Sequence, residues 1–183
     1  MVITSPSPQE IIKKLIRDKS LLALSDLSKK TDIRIEESML LSPVLAHWMT
    51  LISIGGPQVH LTIKIQFSTA MARSFVQNGQ NQAVPDSLSK DLIRELCNVI
   101  AGYVKQALAD NQVLVMISLP LLSRGFDNFF LQASSRKESL ADQWSLVYNQ
   151  SVLHCSSLVE VAEEIKLDDF KEKESSSGEV EFF

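Results

Sequence analysis

The chain has 183 residues, 45% of them hydrophobic and 22% charged, with a formal net charge of −4. That length suits one domain burying about two-thirds of its unfolded surface, and the acidic balance argues against a protein whose main role is coating nucleic acid. No run approaches the roughly 18 consecutive apolar residues of a membrane span, and the N-terminus lacks the basic-then-apolar pattern of a secretory signal. The two cysteines, Cys97 and Cys155, form no CxxC pair, which predicts reduced thiols and a cytoplasmic protein.

In chain order, Ser7-Pro8-Gln9-Glu10 is a helix start with a capping serine, a proline at the first helical position and a capping-box glutamate. Ile11, Ile12, Leu15 and Ile16 continue it as an apolar stripe, with Lys13, Lys14 and Arg17 reading as the solvated face of a docked helix. Leu21, Leu22, Leu24 and Leu27 predict a second helical piece ending near Lys30. Residues 1–30 therefore read as a helical extension.

From Thr31 the period becomes two. Asp32–Glu36 reads as a short strand, and Val44–Ile54 and Val59–Phe67 as longer ones joined by a Gly55-Gly56-Pro57-Gln58 hairpin turn. Ser68 caps a predicted helix Thr69–Gln77, and a polar loop leads to a long helix starting near Asp86 or Ser87. Beyond the turn at 109–112 follow a buried-strand run Val113–Leu119, a connection Arg124–Asn128, and strands Phe129–Ala133, Gln143–Asn149 and Leu153–Val161. Residues 163–183 read as an acidic flexible tail. The predicted fold class is α+β, an antiparallel sheet packed by a long central helix and a second helix, with the N-terminal helical extension.

Asp91–Leu108 within the long helix sorts sharply at about 100° per residue. Leu92, Leu96, Val99, Tyr103 and Ala107 interleave with Ile93, Cys97, Ile100, Val104 and Leu108 in a wide apolar arc. Asp91, Glu95, Asn98, Gly102 and Lys105 form a narrow polar stripe at spacings that are neighbours on a helix surface. Asn98 is a mediocre helix former, and Gly102 costs about 1 kcal/mol relative to alanine. Spacing alone leaves two readings: a solvated face with Gly102 at a close crossing inside the chain, or a surface that a partner approaches. Elsewhere, His47, His60 and His154 lack zinc-ligand spacing, no GxSxG, GxGxxG or phosphate-loop motif occurs, and Cys97 reads as an inert core thiol.

The pattern Asp91-x-x-x-Glu95-x-x-Asn98-x-x-x-Gly102 resembles the signature helix of the CheC/CheX/FliY phosphatases of bacterial chemotaxis. Ile117–Gly125 is similar to the strand and Leu-Pro turn that follow that helix in CheX-like proteins. A second Asp/Ser-x-x-x-Glu-x-x-Asn copy is absent, so the chain resembles single-site CheX more than two-site CheC. The resemblance covers residues 31–162 and implies a CheX-like domain there, which is a homodimer in much of the family. It also implies a protein phosphatase that hydrolyses the aspartyl phosphate of a CheY-type response-regulator receiver. Asn98 would position the attacking water and Glu95 would dock the receiver's lysine. Asp91, Gly102 and Lys105 would complete the contact surface. The chain itself would need no cofactor or metal, because the receiver brings its own divalent ion. Glu95 as a general base is the weaker assignment: carboxylates are poor bases at neutral pH, and a loose phosphoryl-transfer transition state asks for little early proton abstraction.

Two other classes stay open on sequence: a receiver-binding or scaffold module without turnover, and a structural or oligomerisation domain. The acidic tail ending in Phe182-Phe183 also suggests a tether to a partner.

Overall fold

The computed structural model describes residues 6–37, 46–76, 84–125, 139–162 and 165. The predicted strand Phe129–Ala133 and the Phe182-Phe183 terminus lie outside the described residues. Among these described residues three helices, α1 (Pro8–Ser28), α2 (Thr69–Val76) and α3 (Asp86–Asp110), accompany seven strands. The strands are β1 (Arg34–Glu37), β2 (Trp48–Gly55), β3 (Val59–Phe67), β4 (Met116–Ile117), β5 (Leu121–Arg124), β6 (Ser139–Tyr148) and β7 (Ser151–Val161). They form one sheet in the order β1-β6-β7-β3-β2-β4, with β5 pairing β2 farther along the same edge, and every pairing is antiparallel. The α+β class expected from the sequence is the one observed.

Alternation in the central strands builds one densely buried face. Leu61, Ile63 and Ile65 of β3 are fully buried beside Ile52 and Ile54 of β2 and Val159 and Leu153 of β7. Burying each such side chain contributes about 1.5–3 kcal/mol. The β2–β3 turn is the expected hairpin, closed by Gly56 N–H donating to the Val59 carbonyl at 2.8 Å. Glycine is required there, since a Cβ at Gly56 would collide with the Leu114 carbonyl.

Helix α1 is a single 21-residue helix rather than two pieces. Ser7 caps it as expected, accepting from Glu10 N–H at 3.3 Å. Nor is it appended to a separate domain: Ile12, Ile16, Ala23 and Leu24 are fully buried in the same core cluster as α3 and the sheet. Arg17 clasps the helix to the sheet. Its Nε and Nη2 donate to Asp142 at 2.7 and 2.6 Å, a second pair of bonds reaches Glu37, and its guanidinium lies 5.9 Å from the Trp144 ring centroid.

The run Val113–Leu119 departs from its expectation. Only Met116 and Ile117 pair as a strand, and Leu114, Met116 and Leu119 are 77%, 80% and 90% exposed. Val113 and Val115 turn inward, and Ile117 packs half-buried against the core. The run lies on a sheet edge, so half of its apolar side chains have no second layer to meet. The connection expected from Arg124 begins one residue late, because Leu121–Arg124 pairs with Trp48–Leu51 as β5.

Candidate functional site

The 25-residue α3 runs along β2. Lys90, near its start, sits over Trp48 at the start of β2, and Leu114, just past its end, touches Gly56 at the β2 turn. The apolar arc read from the sequence is the buried one: Ile93, Leu96, Cys97, Ile100, Val104 and Leu108 are fully buried. Cys97 and Cys155 are both free and buried, and burial pushes both thiols up, which makes them unreactive. One flank of α3 is held by Tyr103, whose hydroxyl donates to Asp26 of α1 at 3.1 Å.

The stripe faces outward as a unit. Asp91, Glu95, Asn98, Gly102 and Lys105 are all exposed. Asn98 Nδ2 donates to Glu95 Oε2 at 3.2 Å, so the carboxylate one turn earlier holds the carboxamide in a defined orientation. That leaves the Asn98 carbonyl oxygen, with its two lone pairs, and a second N–H free to engage other groups. Asp91 pairs with Arg94, three residues on, at 3.5 Å. Asp91 lies in the second turn of α3; the acidic residue of the first turn is Asp86, which pairs with Arg73 of α2.

Gly102 separates the two readings left open by spacing. A Cβ placed on it would meet nothing within 4 Å. Among the described residues no close crossing explains the glycine, and no packing there compensates its helix cost.

The stripe is a convex helix surface, unlike the concave apolar pockets that take small ligands. A depression of about 290 Å³ does exist, but α1 and Ile35 line it, through Glu10, Lys13, Lys14, Arg17 and Asp18. His47 and His60 are exposed, and His154 bonds to Ser145 at 3.3 Å. Among the described residues no three histidine, cysteine or carboxylate groups converge on a point.

One feature of the surface has no sequence signature. Trp48 is half-buried beside α3, with the Lys90 ammonium 3.8 Å and the Arg124 guanidinium 5.4 Å from its ring centroid. Lys90 adjoins the stripe in sequence, but Trp48 and Arg124 join it only through the β2–β5 register, which pairs them directly.

No family model and no curated protein sequence matches the chain. Solved structures do. The chemotaxis protein CheX from Vibrio vulnificus superposes with a TM-score of 0.65 at 16% identity, over 85% of this chain and all of that one. CheX in a CheX–CheY–BeF3–Mg2+ complex from Borrelia burgdorferi gives 0.62 at 17% identity, over 81% of this chain and 97% of that one. A CheC-like superfamily protein from Shewanella sp. PV-4 gives 0.60 at 18% identity, over 82% and 97%.

The chain has the CheC/CheX fold. Residues 31–162 alone would make up a smaller share of the chain than these superpositions cover. The CheX-like fold thus takes in more than the segment on which the sequence resemblance rests. In that fold α3 is the long helix against the sheet, and its outward stripe carries Glu95 and Asn98.

Proposed function

We propose that this protein is a CheX-like phosphatase acting on the aspartyl phosphate of a CheY-type receiver domain. The observation that carries the reading is the exposed Glu95–Asn98 pair, hydrogen-bonded at 3.2 Å and followed one turn later by a glycine with open space beside it among the described residues. The Borrelia burgdorferi CheX seen in complex with CheY adds support for the partner class.

An aspartyl phosphate is an activated acyl phosphate, and the receiver's own divalent cation and lysine neutralise charge on the transferring group. The missing component is a water held in line with the scissile bond. Asn98 is chemically suited to holding it, since its carbonyl oxygen accepts from the water and its remaining N–H donates to a phosphoryl oxygen. The water oxygen bonds to phosphorus as the bond to the aspartyl oxygen breaks. The products are inorganic phosphate and a free carboxylate, and the water's proton passes to solvent or phosphate. Glu95 both orients Asn98 and offers its carboxylate to the receiver's lysine, which sets the register of the two proteins. Asp91 and Lys105 border the contact, and Gly102 leaves room for it.

Asn98→Ala should leave folding and receiver binding intact while lowering the accelerated dephosphorylation by about 100-fold or more, as expected when a positioned reactant is lost. Phosphate release from receivers charged with acetyl phosphate measures this. A receiver-binding module without turnover is the second reading, and it predicts binding with no acceleration by the parent protein. Homodimerisation is part of the proposal, supported by the exposed Leu114, Met116 and Leu119 along the β4 edge. The cytoplasm, where response regulators work, is the proposed location.

A further inference from the structure

Beyond the stripe itself, we infer that the Lys90–Trp48–Arg124 stack is a second docking contact for the same partner, taking the acidic surface that surrounds its phosphorylated aspartate. The inference rests on the receiver reading for the partner's identity, and it assigns the stack to association rather than to chemistry.

Charge and placement carry it. The chain as a whole bears a net charge of −4, which repels an anionic partner. A receiver's phosphorylation site presents a phosphoryl dianion together with the carboxylates that hold a divalent cation. Productive encounter therefore needs a local positive patch beside the reacting residues. Arg73 and Arg94 do not provide one, since Asp86 and Asp91 neutralise them. Lys90 and Arg124 form no ion pair with any described residue. Both instead lie against one indole, Lys90 half-buried and Arg124 exposed, so two cations are gathered on one ring beside the start of α3.

The position fits a contact on the same partner. Lys90 precedes Asn98 by eight residues, which on a helix is about 12 Å along the axis and about 80° around it. A receiver seated on Glu95 and Asn98 would reach it without a second interface. Holding the cations on Trp48 in advance also lowers the entropy lost on docking.

The test compares four proteins: the parent, Lys90→Gln/Arg124→Gln, Lys90→Glu/Arg124→Glu, and a control, Lys14→Gln/Lys29→Gln, with the same charge change as the first pair on α1 and its end. For each, binding of a CheY-type receiver charged with acetyl phosphate and Mg2+ is measured from low to high salt, alongside KM and kcat for phosphate release. Melting temperatures establish that each variant is folded. Neutralising the stack should weaken binding and raise KM about 5- to 10-fold at low salt, flatten the salt dependence and leave kcat unchanged. Charge reversal should weaken binding further, and the control should match the parent.

Unchanged binding and salt dependence in the stack variants would overturn the inference. So would an equal loss in the control, which would make net charge rather than this patch responsible. A fall in kcat without a change in binding would also overturn it. If the parent binds receivers without accelerating phosphate loss, the phosphatase reading fails while the binding arm still decides the role of the stack. If it binds none, both fall.

Discussion

Asn98 and Gly102 are both poor helix formers on the stripe; Asn98 is held only by its bond to Glu95 among the described residues, and Gly102 has no neighbour there that its missing side chain would meet. Gly102→Ala should therefore stabilise the protein by about 0.5–1 kcal/mol in urea denaturation, because the added methyl meets nothing and removes backbone freedom from the unfolded chain. Gly102→Leu should keep that stability yet abolish receiver binding; a destabilised Gly102→Ala would give the glycine a structural role after all. Helical periodicity made the stripe legible, since all five residues read from it are exposed. The Asn98–Glu95 hydrogen bond and the empty space at Gly102 were not, because both depend on side-chain placement. Trp48 and Arg124 were invisible for a different reason: they meet only through strand register.

At the scale of elements, Arg17 is the polar clasp that adds to the apolar packing of α1 on the sheet. Asp142 is 7% exposed, so Arg17→Met would leave a buried carboxylate with, among the described residues, only the Lys13 ammonium at 3.7 Å as an ion-pair partner. The expected cost is about 2–4 kcal/mol, read from the shift in urea midpoint. Glu37, on the exposed side of the same clasp, has its carboxyl held below the usual range by hydrogen bonds and charge from Arg17. A depressed carboxyl contributes stability above its unfolded pKa and loses that contribution as the pH falls through its folded one. The acid limb of a stability–pH curve should therefore be shallower in Glu37→Gln. The sequence showed α1 as a helix with a cap and an apolar stripe, but it did not show what the stripe covers. Residues that meet Asp142 across 125 positions of chain leave no local pattern. The run Val113–Leu119 misled for the opposite reason, because its apolar composition is the same whether a second layer covers it or not.

For the whole molecule, the hairpin-connected sheet and the long helix were readable because alternation and 3.6-residue periodicity are strong over β3, β7 and α3. The order of strands was not, since β1 pairs with β6 and β3 with β7 across long stretches of chain. That order leaves β4 and β5 at one edge, where Met116 is 80% exposed on a strand that, among the described residues, pairs on one side. If this edge joins two copies, Met116→Lys should convert a dimer to a monomer in sedimentation equilibrium without lowering the melting temperature; an unchanged dimer would place the interface elsewhere.

The most direct measurement is the decay of a phosphorylated CheY-type receiver under single-turnover conditions, with the parent protein and with Asn98→Ala at concentrations that saturate binding for both. Decay accelerated by the parent, and returned close to the receiver's own rate by Asn98→Ala at equal occupancy, is the expected result. Equal acceleration by the two proteins would contradict the role assigned to Asn98, and with it the reading of α3 as a catalytic surface.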